Sequence, residues 1–222
     1  MGAVIGELLP LAVAVAISPL PIIAAILMLL SARARSTSLG FLLGWLAGII
    51  VAVVVFTLLG SLIEPGDDGP KPVAGVIKIV LGVLLLLLAV GQWRKRPKPG
   101  EQPALPKWMA AIDTITPVAS LGLGFLLAAV NPKNLMMAVA AGVTVGGSTL
   151  SGGLDVAAIA IYVVIAASTV AIPVVAFLIA ANRLRPALDA LRVWLLANNA
   201  TVMAVLLLVL GVANIGKGIG SF

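Results

Sequence analysis

The sequence predicts an all-α polytopic membrane protein with six transmembrane helices, arranged as a 3+3 inverted repeat in which helices one and four are broken. Three observations predict this fold class: the composition, the length of the apolar segments, and a proline-containing motif in each half of the chain. Of the 222 residues, 62% are hydrophobic and 10% are charged, and the mean hydropathy is +1.23. Soluble domains carry about 25% charged residues, so this chain has too few charges to cover a soluble particle.

Six apolar segments are long enough to cross a membrane, which takes about 20 residues in a helix. They cover approximately residues 8–30, 39–62, 73–90, 118–145, 156–181 and 201–219. They lack the alternating pattern that is typical of membrane β-strands. No basic region precedes the first segment, which follows Glu7 instead. We therefore expect that segment to stay in the protein rather than to be cleaved as a signal peptide.

The basic residues are divided unequally between the two sides of the membrane. The connections after the first, third and fifth segments hold ten Lys and Arg residues, whereas the opposite side holds Lys71 and Lys217. Basic connections stay in the cytoplasm, so we expect both termini to face outward from the cytoplasmic membrane. The basic surplus thus indicates orientation, and we expect no nucleic-acid partner.

The longest connection divides the chain into three parts. Residues 1–91 form the first three-helix repeat, 92–117 a basic cytoplasmic connection, and 118–222 the second repeat. Within the connection, residues 106–113 predict a short interfacial helix. Residues 182–198 also predict an interfacial helix, because leucines at helical spacing lie opposite charged residues. Either segment could act as a gate, and a helix that simply lies on the bilayer surface is the alternative.

The two halves of the chain carry matching interruptions. A shift of 113 residues aligns Pro19 with Pro132, and it also aligns residues 38–40 with 151–153 and Gly60 with Pro173. A repeated unit of three spans must be inverted, because an odd number of crossings reverses the second copy. Interrupted helices at matching positions of inverted repeats indicate the binding site of a secondary transporter.

The prolines explain why these interruptions point to a site. A proline inside a helix removes an N–H group and frees a carbonyl four residues earlier. We expect Pro19 and Pro21 to free the carbonyls of Val15 and Ile17, and Pro132 to free that of Ala128. In hydrocarbon such groups need a protein partner or a wet cavity. The predicted substrate-binding residues are Ser18, Pro19, Pro21, Asn131, Pro132, Lys133 and Asn134.

Lys133 is the most informative single residue of this set. A lysine near the middle of a span costs about 2.5–3.5 kcal/mol on insertion scales. No acidic residue lies at a matching depth in the sequence, which favours an anionic substrate group, or a lysine that carries no charge, at this position. The alternative is that Lys133 binds the freed carbonyls and stabilises the break.

Four further residues are candidates for coupling or gating, and several glycines are candidates for packing. The first set is Glu7, Lys78, Asp113 and Pro173. For Lys78 the alternative is pairing with the acidic loop of Glu64, Asp67 and Asp68, and for Glu7 it is a simple interfacial position. Pro173 is expected to kink its helix. Small residues every four positions allow close helix packing, and they occur at Gly40, Gly44, Gly48, Gly142 and Gly146.

The sequence offers little for enzymatic or metal chemistry. It contains no cysteine and no histidine, and it shows no paired carboxylates, catalytic triad or metal-ligand cluster. We therefore expect a protein that is not an enzyme, with no metal and no cofactor.

The chain resembles the lysine exporter (LysE) superfamily of small bacterial transporters. The resemblance rests on six spans and on the breaks Ser18-Pro19-Leu20-Pro21 and Asn131-Pro132-Lys133-Asn134. Residues 92–97, 106–109 and Asp113 are in addition similar to the branch of glycopeptidolipid- and sulfolipid-addressing proteins (GAP/Sap). The resemblance covers nearly the whole chain. It implies a six-helix exporter with an inverted repeat that takes part in delivering lipids or glycolipids to the cell surface.

Together these observations predict a transporter that exports or translocates a lipid or glycolipid by alternating access, with its site between helices one and four. The alternatives are a proton-coupled exporter of small solutes such as amino acids, and a non-transporting scaffold of lipid-export machinery. The expected partners are membrane lipids and the lipid substrate, with a homodimer or export machinery as further possibilities. Because no nucleotide-binding motif is present, energy would come from a gradient or from a partner.

Overall fold

A computed structural model describes residues 1–62, 72–96, 112, 114–150 and 153–222 and, at residue 182, the backbone alone. The regular structure over these residues is helical, and it consists of seven α-helices. They are α1 (Gly2–Ala16), α2 (Pro19–Leu30), α3 (Ala34–Ser61), α4 (Pro72–Arg94), α5 (Pro117–Ala129), α6 (Pro132–Gly146) and α7 (Leu154–Ile219).

Helix α7 contains two spans in one continuous run of 66 residues. The backbone leaves helical geometry at Ala180, with φ −137° and ψ 45°. This residue lies near the end of the apolar stretch Leu154–Ala181, here called α7a, which is followed by Arg183–Ile219, called α7b. Pro173 lies inside α7a, so the departure from helical geometry occurs beyond the proline at which the sequence predicts a kink.

The helices meet the length and composition of a multi-pass membrane protein. Helices α3, α4, α7a and α7b are each long and apolar enough to cross a membrane, and the bent pairs α1–α2 and α5–α6 bring the number to six if each pair is one span. The prediction of an all-α polytopic protein with broken first and fourth spans is therefore confirmed. Each half of the chain has a bent helix followed by two long ones.

Both breaks follow from the residue before a proline. The proline ring pushes the preceding residue out of the α-helical region. Accordingly Ser18 (ψ 109°) is extended, and Asn131 (ψ 121°) also lies outside the helical region. Pro19 and Pro132 then occupy the first turn of a new helix, where a missing N–H group is tolerated. The bend is 48° between α1 and α2 and 59° between α5 and α6.

The two bent helices run in opposite directions. The start of α1 lies beside the end of α6, because the Thr144 hydroxyl donates to the Glu7 carboxylate at 3.4 Å. The starts of α3 and α5 lie together, since a methyl group at Gly40 would be 2.5 Å from the Pro117 carbonyl oxygen. This antiparallel arrangement agrees with an inverted repeat. The division of the chain at residues 91 and 117 stays a prediction.

The glycines that recur every four residues lie at close helix contacts, as the sequence predicts. Those of α3 face α5, where a methyl group at Gly48 would lie 2.8 Å from the Phe125 carbonyl oxygen. In α6, a methyl group at Gly142 would lie 2.5 Å from the Phe56 carbonyl carbon of α3. Backbone packs against backbone in both places, so any larger side chain would separate the helices.

A second set of glycines joins α4 to α7b, and the sequence analysis did not identify it. A methyl group at Gly82 would lie 2.7 Å from the Gly211 carbonyl oxygen, and one at Gly211 would lie 2.9 Å from that of Gly82. Gly75 and Gly218 form the same reciprocal contact nearer the chain terminus. The two helices are therefore antiparallel and in close contact along their length.

Of the two predicted interfacial helices, the structure describes only the second. The segment 106–113, with Asp113, lies outside the described residues apart from Ile112. Residues 183–198 form the first part of α7b, where Leu188 and Leu195 are buried and Leu191 is exposed. Arg192 and Asp189 form an ion pair of 2.8 Å on the polar side of this stretch. The stretch is thus helical and amphipathic, and its position at the interface stays a prediction.

We expect Gly44→Ala to lower the stability of the protein by about 1–3 kcal/mol, the usual effect of overpacking a tight contact. The added methyl group would collide with the Leu121 carbonyl of α5. The measurement is thermal unfolding of the purified protein in detergent. Gly122→Ala is the control, because no atom lies within 4 Å of a methyl group there. Equal melting temperatures for the two variants would contradict this packing.

Candidate functional site

The two helix breaks meet inside the bundle through Lys133. Its side chain is 2% exposed, and its Nζ donates to the Ala14 carbonyl oxygen of α1 at 2.6 Å. Helix α1 ends at Ala16, and the backbone N–H of Ser18 turns to Val15 instead of Ala14. Lys133 therefore satisfies a carbonyl that the break in the first span has released.

A second donor completes the end of α1. The Thr169 hydroxyl of α7a donates to the Ala16 carbonyl oxygen at 2.5 Å. The expectation that Val15 would lose its partner is wrong, because its carbonyl accepts from the Ser18 N–H at 3.1 Å. The freed carbonyls with partners on other helices are those of Ala14 and Ala16. After Ala16 the chain forms a tighter turn than an α-helix, because the Ser18 N–H bonds to the residue three positions earlier instead of four.

The second break is closed by its own residues. The Asn131 Oδ1 accepts from the Lys133 N–H at 3.1 Å and so caps α6. The Asn134 Nδ2 donates to the Leu127 carbonyl oxygen at 2.9 Å. The other amide atom, Asn134 Oδ1, is buried without a hydrogen-bond partner. A buried acceptor of this kind is costly to leave unpaired, so it marks the place as one where a donor could bind.

The remaining predicted site residues take different positions. Ser18, Pro19 and Pro21 are buried, whereas Pro132 is exposed. The Ser18 side chain makes no capping hydrogen bond to α2. The structure thus joins Lys133 to the first break through a carbonyl, which agrees with a stabilising role for this lysine. Substrate binding by the seven residues stays a prediction.

A second polar cluster lies where the start of α1, the start of α4 and the end of α7b meet. The Glu7 carboxylate oxygen Oε2 is 3.4 Å from Lys78 Nζ and 4.0 Å from Lys217 Nζ. The Thr144 hydroxyl reaches the same oxygen. We call Glu7, Lys78, Lys217 and Thr144 the terminal-end cluster.

The terminal-end cluster revises the expectation for Lys78. Its described partner is Glu7, while the acidic loop residues with which we expected it to pair lie outside the described residues. Sequence analysis did not associate Lys217 or Thr144 with a site. The only available signal was topology: both termini and the start of the third span fall on one side of the membrane.

Glu7 and Lys78 line a polar cavity of about 620 Å³ between the ends of four helices. A narrow pocket of about 20 Å³, enough for a single water, continues from these residues to Pro10 and Leu210.

Pro10 and Leu210 also line an apolar groove of about 540 Å³ between α1 and α7b. Its other lining residues are Val13, Ala14, Thr201, Val202, Val205, Leu206 and Val209. Val205 and Val209 are 52% and 61% exposed, so the groove opens on the side of the bundle. It runs along α1 as far as Ala14, whose carbonyl binds Lys133.

The opposite end of the bundle is basic. Arg33, Arg35 and Arg185 line one cavity with Phe177, and the Arg185 guanidinium lies 5.7 Å from the centre of the Phe177 ring. The described residues therefore form two ends with different chemistry. Over these residues no group of three His, Cys, Asp or Glu side chains could hold a metal ion.

A family model described as "Sap, sulfolipid-1-addressing protein" matches residues 8–220 of the chain. Searches of the curated proteins and of the solved structures gave no match. The family match agrees with the branch suggested by the break motifs and the connection residues. Membership of the wider lysine exporter superfamily stays a prediction.

We expect Thr169→Val to destabilise the protein by about 1–3 kcal/mol, because it leaves the buried Ala16 carbonyl without a donor. Thr57→Val is the matched control, since the Thr57 hydroxyl bonds only within its own helix, to Val53. Thermal unfolding in detergent measures both. A loss no larger for Thr169→Val than for Thr57→Val would contradict the role of this bond at the break.

Proposed function

The chain belongs to the family of sulfolipid-1-addressing proteins, and from this we propose that it translocates a lipid or glycolipid across the bacterial cytoplasmic membrane toward the cell surface. The proposed activity is transport by alternating access, without an enzymatic step. The basic connections would face the cytoplasm and both termini would face outward, in line with the positive-inside rule.

The observation that supports a lipid substrate is the apolar groove between α1 and α7b. A soluble solute needs an enclosed polar path, whereas a lipid must enter sideways from the bilayer. The groove is open on the side of the bundle and lined by aliphatic side chains apart from Thr201. It ends at one side in the narrow pocket with the terminal-end cluster and reaches Ala14 at the other.

The crossing of the two bent helices is the proposed site of the conformational change. Broken helices of opposite direction at the membrane midplane are typical of alternating-access transporters. In the described state Lys133 is bound to the Ala14 carbonyl. We propose that opening of this bond releases the ammonium group for an anionic part of the substrate. Ser18, Asn131 and Asn134 would supply the other polar contacts.

We expect Val209→Trp to reduce translocation severalfold, because the indole would fill the groove and exclude an acyl chain. Val212→Trp is the matched control: Val209 and Val212 are 61% and 59% exposed on the same helix, and Val212 does not line the groove. The measurement is the dithionite quenching of a fluorescent sulfated glycolipid in proteoliposomes, with and without a proton gradient. Equal rates for the two variants would exclude this groove as the route.

We expect Lys133→Ala to lower the same translocation rate about tenfold, which corresponds to about 1.4 kcal/mol of lost interaction. Lys95→Ala is the control, because Lys95 is exposed at the basic end of α4. Circular dichroism and thermal unfolding would establish that the variant folds. A folded Lys133→Ala protein with the normal rate would overturn the central site. A wild-type protein that binds lipid but does not move it would favour the scaffold, and export of amino acids alone would favour the small-solute alternative.

A further inference from the structure

The terminal-end cluster carries more positive than negative charge. It contains two ammonium groups and one carboxylate, and both lysines face the same oxygen of Glu7. The Lys78 side chain is 14% exposed, so its charge is held largely inside the protein. Charged groups near a membrane interior are kept where they are paired or where they bind a ligand. Among the side chains that the structure describes here, one carboxylate faces two ammonium groups, which is a local charge balance of +1.

The ion pairs of this cluster are loose. The Glu7–Lys78 and Glu7–Lys217 distances are 3.4 and 4.0 Å, whereas strong ammonium–carboxylate hydrogen bonds measure about 2.7–2.9 Å. Each ammonium group has three donors, and a single shared oxygen cannot use them all. An oxyanion with three oxygens would offer both lysines shorter bonds than Glu7 does.

The cluster also lies near the ends of its helices, which is where lipid headgroups surround a helix that spans a membrane. Lys78 is six residues from the start of α4 and Lys217 is near the end of α7b, which places Lys78 about 9 Å along the helix axis from its end. The polar cavity beside them opens toward the ends of four helices. A ligand that enters there contacts Lys78, which lines this cavity, while Lys217 lines the adjoining narrow pocket.

The connection to the apolar groove distinguishes a lipid from a soluble anion. Lys78 lines both the polar cavity and the narrow pocket, and Pro10 and Leu210 line both the narrow pocket and the groove. The narrow pocket has room for a single water, so it must widen for a headgroup at the lysines to place its acyl chain beside α1 and α7b. A soluble anion would use the polar cavity alone.

From these contacts we propose that Lys78 and Lys217, with Glu7 as their counter-ion in the empty state, bind the oxyanion headgroup of a lipid whose acyl chain lies in the apolar groove. The ligand class is a sulfated or phosphorylated lipid. This site lies apart from the Lys133 crossing, and its assignment rests on the proposed lipid function. It would hold the lipid at the end of the bundle where both termini lie.

The test is a titration of the purified protein in detergent, followed by native mass spectrometry. The probes are a sulfated galactosylceramide, the same lipid without the sulfate, and inorganic sulfate. We expect the sulfated lipid to bind about tenfold more tightly than its uncharged counterpart, as charge-assisted hydrogen bonds imply. The double variant Lys78→Gln/Lys217→Gln should lose that preference, whereas Lys95→Gln should keep it.

Further variants in the same titration test the site if the double variant does not fold. Lys217→Gln alone changes a side chain that is 36% exposed, so it should fold even if the double variant does not, and it should reduce the preference in part. Val209→Trp should weaken both lipids equally, and Val212→Trp neither. A preference for the sulfated lipid that survives folded Lys217→Gln and double variants would overturn the site. Displacement of the lipid by millimolar inorganic sulfate would overturn the lipid assignment.

This binding measurement is independent of transport. If the sulfated lipid binds as expected and no translocation occurs in proteoliposomes, the proposed function fails and the site stands. If translocation occurs and the preference for the sulfated lipid does not depend on the two lysines, the site fails and the proposed function stands.

Discussion

The structure depends on one constraint: a backbone carbonyl inside a membrane must have a hydrogen-bond donor, because no water is available there. The breaks at Ser18 and Asn131 release carbonyls that a continuous helix would pair. Those at the end of α1 receive donors from Lys133 and Thr169, both of which belong to the second half of the chain. The break in the first half is thus completed by the second half, and the two halves have to fold together.

The few charges of the chain then fall into groups with different physical roles. The arginines at the basic end stay at the surface beside the ends of α2 and α7a. The two lysines of the terminal-end cluster share one carboxylate oxygen of Glu7, between helices that are far apart in sequence. Lys133 is satisfied by the main chain instead of by a counter-ion. In a bundle with so little charge, each of these arrangements can be studied with a single substitution.

Much of this architecture follows from short-range patterns, which the sequence reveals directly. The spans follow from apolar length, the breaks from the residue before each proline, and the contacts of α3 with α5 and α6 from glycines four residues apart. The partners of Lys133 and Lys78 could not be predicted, because they depend on how distant helices pack. The contacts between the glycines of α4 and α7b could not be predicted either. Gly75 and Gly82 are seven residues apart, as are Gly211 and Gly218, and the two pairs meet only because the helices are antiparallel. The family match extends over residues 8–220 and agrees with the resemblance carried by the break motifs.

The glycine contacts divide the bundle into parts of unequal stiffness. Backbone-to-backbone packing joins α3 to α5 and α6, and it joins α4 to α7b. Among the described residues, α1 carries only Gly2 and Gly6, which have no neighbour within 4 Å, and α2 carries no glycine at all. The first bent helix is therefore held by ordinary side-chain contacts, by the hydrogen bonds to the Ala14 and Ala16 carbonyls, and by the polar contacts of Glu7. If the groove widens, we expect the first bent helix to move relative to α7b, because the glycine contacts hold α7b against α4.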